Sequence, residues 1–210
     1  MTREENDRNW DEYFIEGTNV LKNNLGITDK EELKEKEAEI TFKKLIELHE
    51  NPLDLGYGKE HFKAIHYYLF SDIYPFAGKY RTVYMQKNNS YFAPVEEIDE
   101  RLNRTFQTME EESKNITSIY SFATFLTTYY TELLNIHPFR EGNGRTTREF
   151  IREYANHKSE ELPIPTINFS WSNVDQDTIN EFIDKSRAFR SAIELEILKA
   201  LEPKEKEKTY

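Results

Sequence analysis

The sequence predicts a mostly α-helical fold, a helical bundle that carries one β-hairpin. Three observations predict it. Gly and Pro number only seven each in 210 residues, and they cluster at breaks between periodic stretches. Long stretches repeat apolar residues at helical spacing. One segment, residues 80–95, sets β-branched and aromatic residues on both sides of a polar turn, the strong strand signal of the chain.

The elements follow in order. Trp10–Leu25 is an irregular start in which Gly17 and Gly26 mark a turn and a helix end. Asp29–His49 sets Leu33, Ala38, Ile40, Leu45, Ile46 and Leu48 among Lys and Glu, as in an amphipathic helix with a solvated charged face. His61–Phe70 is a short helix with Phe62, Ile65, Leu69 and Phe70 on one side, and it stops before Pro75. The hairpin turns at Asn88-Asn89-Ser90, and Pro94 closes it. Glu96–Glu112 reads as a polar helix. Ile119–Ile136 is apolar on more than one face and so belongs in the core. Thr146–His157 is another helix, Pro163 and Pro165 break the chain, and Asp175–Ala200 is helical again. Residues 201–210 form a charged, frayed tail. The reading is one domain over residues 1–210, with its core at about 10–200.

Composition narrows the function classes. Hydrophobic residues make up 37% and charged residues 32%, which suits a soluble globular protein. Lys plus Arg is 28 and Asp plus Glu is 39, so the net charge is 28 − 39 = −11. Such a surface repels phosphate backbones, so no nucleic-acid partner is expected, although a small nucleotide fits a locally basic pocket. The absence of Cys removes disulfides and thiolate metal sites and suits a reducing cytoplasm, with secretion into a host cell left open. MTREENDRNW does not read as a signal peptide, and no apolar run spans a membrane, so no membrane partner is expected.

The segment HPFREGNGRTTR, residues 137–148, concentrates chemistry-bearing residues. A buried helix ends at Ile136, and Pro138 fixes the turn out of it. Gly142 and Gly144 bracket Asn143, so the backbone can take positive φ and approach a ligand. A helix then starts near Arg145, and its first N–H groups form an anion site. Arg145 and Arg148 are three apart, neighbours on one helical face, and two guanidiniums there suit a di- or triphosphate. Glu141 supplies an oxygen for Mg²⁺ on those phosphates. His137 titrates near neutrality and suits a general base. Taken singly, each has a plainer reading: a structural His, a Gly turn, salt-bridging Arg residues. Their concentration in one short segment favours the chemical reading.

HPFREGNGRTTR resembles the signature of the Fic family, His-x-Phe-x-(Asp or Glu)-Gly-Asn-Gly-Arg-x-x-Arg, at every specified position. NWDEYFIEGTNVLKNNLG, IYPFAGKYRTVYM and INFSWSNVD are similar to the family's N-terminal segment, its approach to the flap and its strip after the motif helix, so the likeness covers most of residues 10–195. The resemblance implies a Fic-type helical bundle and a protein adenylyltransferase that moves AMP from ATP to a Tyr, Thr or Ser hydroxyl of a target protein. It implies His137 as the base, Glu141 as the Mg²⁺ ligand, and Gly142, Asn143 and Gly144 as an anion hole built from N–H groups and the Asn side chain. Arg145 and Arg148 would bind the leaving phosphates, and Phe139 would anchor the loop. The hairpin would be the flap that pairs with the target's backbone, through Thr82, Val83, Tyr84 and Met85.

The resemblance also bears on regulation. Many members are held inactive by a helix with Ser/Thr-x-x-x-Glu-Gly/Asn, whose Glu pairs with the second motif Arg. Here Glu16-Gly17 is preceded by Glu12, Ser186 is followed by Arg190 and Ser191 by Leu195, so neither end matches. This implies a toxin-type enzyme restrained by a separate small antitoxin protein that supplies the missing Glu. Two other readings stay open: a related transferase using another nucleotide or phosphocholine, and a non-catalytic nucleotide- or protein-binding module. His61 and His66 are five apart and share no metal-binding face, and no zinc pattern occurs.

Overall fold

The computed structural model describes residues 1–87, 90–175 and 190–203. Helix α1, Arg3–Asp11, opens it; the Thr2 side chain and Glu5 form a capping box that satisfies its first N–H groups. Helix α2, Lys30–Glu50, starts where Asp29 Oδ1 accepts the Glu32 N–H at 2.9 Å. It is mostly solvated, burying Leu33, Thr41 and Leu48 while Phe42 and Ile46 stay exposed. Helix α3, Lys59–Phe70, buries Phe62, Ile65, Leu69 and Phe70 together with His61 and His66. The hairpin is short: β1, Gln86–Lys87, pairs antiparallel with β2, Ser90–Tyr91, in the register Gln86 to Tyr91.

A turn of 3₁₀ helix at Val95–Glu97 leads into α4, Ile98–Ser113. Helix α5, Ile119–Ile136, is capped by Ser118 and packs against α4 and against α6, Asn143–Glu161. Helix α6 also packs on α3, which in turn meets α2. After it come β3, Ile167–Phe169, a 3₁₀ turn at Trp171–Asn173, helix α7, Arg190–Ala200, which lies on α5, and β4, Leu201–Pro203. The core between α3, α4, α5 and α6 is aromatic. Phe150 lies 5.6 Å from Phe62, 5.3 Å from Phe106 and 6.1 Å from Tyr154, largely edge-on to the first two, an arrangement that suits ring quadrupoles.

The predicted helical bundle with one flap hairpin is the observed fold class, with differences of detail. Helix α1 falls in a stretch too polar to show periodicity, and it buries no residue. Helix α6 starts at Asn143, three residues before the predicted Thr146, because Gly142 takes the N-cap in a left-handed conformation. Residues 201–203 are not part of a frayed tail: β4 pairs with β3, and Leu201 is buried opposite Phe169. Of the predicted helix Asp175–Ala200, Arg190–Ala200 is helical and residues 176–189 lie outside the described residues, as do 204–210. Among the described residues no helix is long and apolar enough to cross a membrane.

Phe150 has no exposed surface and several ring partners, so Phe150→Ala is expected to cost about 3–5 kcal/mol of stability, read from urea unfolding.

Candidate active site

The site forms where the C-terminus of α5 meets the N-terminus of α6. His137 ends α5 in the left-handed region, φ 50° and ψ 59°, the one non-glycine positive φ among the described residues. Its N–H still donates to Leu133 O at 3.1 Å, which closes the helix. Its ring Nδ1 lies 3.2 Å from Leu134 O. A carbonyl only accepts, so Nδ1 carries the proton and Nε2 keeps its lone pair. Phe92, just beyond the hairpin, stacks on the imidazole at 3.8 Å and 9°. Burial lowers the imidazole pKa to about 4, with Arg81 and Lys87 acting the same way against the Leu134 hydrogen bond. The ring is therefore a neutral base at pH 7.

Gly142 has φ 81°, and a Cβ there would sit 2.4 Å from the Phe70 ring. Only glycine fits, for backbone and for packing. The first helical hydrogen bond runs from Thr146 N–H to Gly142 O at 3.0 Å, so the N–H groups of Asn143, Gly144 and Arg145 precede it as open donors. Two of the expected anion-hole groups are engaged elsewhere. The Gly142 N–H donates to Glu141 Oε1 at 3.0 Å. The Asn143 carboxamide bonds the main chain of Phe139 at both ends, at 2.9 and 2.8 Å, and so staples the loop rather than facing an anion. Gly144 is not in positive φ; its missing side chain leaves space against Arg148, whose Nη1 would lie 3.4 Å from a Cβ there.

Buried residues that the sequence did not single out hold this loop. Arg81, 2% exposed, donates from its side chain to His137 O at 2.8 Å, Ile136 O at 3.3 Å, Val83 O at 2.6 Å and Ala93 O at 2.5 Å, while its N–H reaches Pro138 O at 2.8 Å. Burial lowers its pKa to about 10, still charged at neutral pH. His66 stacks on Phe139 at 3.7 Å, donates from Nε2 to Glu141 O at 3.0 Å and accepts the Gly78 N–H at Nδ1, 2.8 Å. Burial lowers its pKa to about 4, which keeps that arrangement neutral. Phe139 is fully buried, as expected of an anchor. The Arg140 guanidinium sits over Trp10 at 4.3 Å and near the rings of Tyr13 and Phe14. A buried Arg in the run YRTVYM carries no local sequence signal, because its partners are main-chain carbonyls.

The two motif arginines are not an equivalent pair. Arg145 turns onto α2, where it pairs with Glu37 and donates to Thr41 Oγ1 at 3.2 Å. Arg148 has no side-chain hydrogen bond or ion pair among the described residues. Glu141 is half-exposed, and its Oε2 has no partner among the described residues. Among the described residues no group of three His, Cys, Asp or Glu could hold a metal by itself. Glu141 therefore fits Mg²⁺ only as one ligand beside phosphate and water oxygens.

The predicted docking residues lie mostly outside the hairpin ladder. Thr82 N–H donates to Tyr13 Oη at 3.0 Å and Thr82 O accepts from Asn9 Nδ2 at 3.1 Å. Tyr84 N–H donates to Asn6 Oδ1 at 2.7 Å and Tyr84 O accepts from Trp10 Nε1 at 3.3 Å. All four outward main-chain groups of Thr82 and Tyr84 are thus taken by α1 and Tyr13, and Val83 is buried. Met85 O accepts the Phe92 N–H at 3.1 Å, within the hairpin. The exposed arm is Gln86–Lys87.

A neutral imidazole and open helix N–H donors thus share one turn of a helical bundle. Residues 52–155 match the model of the Fic/DOC family. The chain is 33% identical over 149 residues to the probable protein adenylyltransferase y4lH of Sinorhizobium fredii, covering 70% of this chain and 76% of that protein. It is 37% identical over 146 residues to the protein adenylyltransferase VbhT of Bartonella schoenbuchensis, where the match covers 69% of this chain but 30% of that protein. The crystal structure of the effector protein BepC of Bartonella tribocorum with bound AMPPNP superposes with a TM-score of 0.82 at 20% identity, covering 93% and 98% of the two chains. The chain belongs to the Fic/DOC family.

Arg81→Met should leave buried carbonyls without a donor and cost about 3 kcal/mol or more, measured by urea unfolding. The His137 ring is expected to stay neutral through the physiological range. With its pKa lowered to about 4, its NMR shifts should stay level from pH 8 to 6 and move only as pH approaches that value. A titration centred near the ordinary imidazole pKa would show that His137 is not held this way.

Proposed function

We propose that the chain is a protein adenylyltransferase, which moves AMP from ATP to a Tyr, Thr or Ser hydroxyl of a target protein. One observation carries this reading: a single turn between α5 and α6 holds both a His137 ring whose Nε2 is unprotonated and, a few residues on, the open N–H groups of Asn143, Gly144 and Arg145. Nε2 takes the hydroxyl proton, and the oxygen attacks the α-phosphorus of ATP. The bond to the β-phosphate oxygen breaks, so AMP stays on the target and pyrophosphate leaves. Helix α6 binds phosphate oxygens through its first N–H groups, and Arg145 and Arg148 bind the leaving phosphates. Mg²⁺, when bound, neutralises charge on the phosphates, and Glu141 is the residue that would hold it. The naming of VbhT and y4lH as adenylyltransferases and the nucleotide analogue in the BepC structure support the choice of donor.

Target docking is assigned to the hairpin's Gln86–Lys87 arm and the adjoining Met85, since the Thr82 and Tyr84 edge is already bonded within the chain. Restraint by a separate antitoxin protein that brings a Glu to Arg148 is part of this proposal, because neither Glu16-Gly17 nor the stretches after Ser186 and Ser191 match the inhibitory pattern. The reaction is placed in a cytoplasm, that of the producing cell or of a host that receives the protein; the description of BepC as a translocated effector favours keeping the second.

Purified chain incubated with Mg²⁺, α-labelled ATP and cell lysate should label a protein band with no partner removed first. His137→Ala should still bind ATP and label nothing. Equal labelling by both proteins would refute the base assignment, and labelling only from another nucleotide would refute the donor.

A further inference from the structure

The Arg145 guanidinium is held from three sides by residues outside the motif. It pairs through Nη2 with Glu37 on α2, 108 residues away in sequence. Its Nη1 donates to Thr41 Oγ1, one helical turn beyond Glu37, at 3.2 Å. The Phe70 ring lies beneath it, 4.8 Å from the guanidinium carbon. Glu37 is itself fixed, because its other oxygen accepts a hydrogen bond from Tyr74 Oη. Tyr74 in turn stacks on Phe76 at 4.8 Å and 14°. The Glu37 side chain is only 12% exposed and Arg145 23%.

We infer that Glu37 is a positioning residue: it pre-orders Arg145 for the phosphates that leave, and so sets nucleotide affinity from a helix that carries none of the motif. The inference rests on the reading of the loop as an ATP site. A guanidinium has five N–H donors, and Glu37 and Thr41 take two, so three remain for an anion. Holding a long side chain in place before binding removes an entropy cost that the ligand would otherwise bear. Arg148 lacks any such tether among the described residues, so the clamp has one fixed and one adjustable arm. Glu37 is fixed in this pairing, because its second oxygen accepts from Tyr74 and the helix that bears it is packed against α3.

The test compares ADP with AMP, both titrated calorimetrically into the full chain. Both ligands carry the α-phosphate, but only ADP carries a group that stands where Arg145 is needed. Glu37→Gln keeps the shape and loses the charge. It should weaken ADP binding about tenfold, the loss of one charge-assisted contact, and leave AMP binding unchanged. Glu37→Asp should restore part of the ADP affinity. Thermal unfolding of each variant separates positioning from support. Tighter ADP binding by Glu37→Gln would overturn the inference in favour of competition. An equal loss for ADP and AMP with a lowered Tm would overturn it in favour of plain support, and no change in either would overturn it outright. If the unsubstituted chain bound neither nucleotide, the ATP-site reading would fall and this inference with it.

Discussion

The site depends on one buried charge. Arg81 places a single guanidinium against the carbonyls of Ile136, His137, Val83 and Ala93. Two of these are the last carbonyls of α5, which its own helix leaves without donors. The other two flank the hairpin, one on each side. The same cation therefore satisfies the helix end, steadies the left-handed turn at His137 and ties the hairpin to that turn. No carboxylate pairs with it among the described residues. Its partners are dipoles fixed by the backbone, so the arrangement survives burial without a counter-charge. The positive φ of His137 is held in the same way, by closure of α5 beneath it and Phe92 above it.

Two helix ends of opposite polarity meet at this point. The C-terminus of α5 supplies the carbonyl that fixes the His137 tautomer, and the N-terminus of α6 supplies open donors. Burial keeps the imidazole neutral, so its lone pair persists near a site built for negative charge. A nearby anion would raise that pKa, and the lowered starting value leaves room for it. His66 does comparable work one layer deeper, where its two ring nitrogens join Gly78 to Glu141 across the stacked Phe139 ring.

Much of this could be read before any coordinates. The helices over Asp29–His49, Ile119–Ile136 and the motif helix showed themselves by periodicity, because each buries a continuous face or sits wholly in the core. Helix α1 did not, because it buries nothing; it is held by a capping box and by side chains reaching the main chain of Thr82 and Tyr84. Strand β4 did not, because Leu201–Pro203 has three residues and gains its meaning only from pairing with Ile167–Phe169. The extent of the hairpin was overestimated for a related reason. YRTVYM has strand-like residue types, but its main chain is bonded to Arg81 and to the N-terminal segment instead of to a second strand.

The sequence by itself determined the kind of chemistry. A base, a carboxylate, a glycine turn and two arginines within one short segment need no fold to be recognised, because their spacing along the chain brings them to one turn between two helices. Only the tertiary structure decided how each is used. It committed the Asn143 side chain to Phe139 and the Gly142 N–H to Glu141, and it sent Arg145 toward Glu37 while giving Arg148 no tether among the described residues. It also placed Arg81 at the centre. The Arg145 partners lie 104 and 108 residues away and the other bonds use main-chain groups that every residue shares, so no local pattern encodes them.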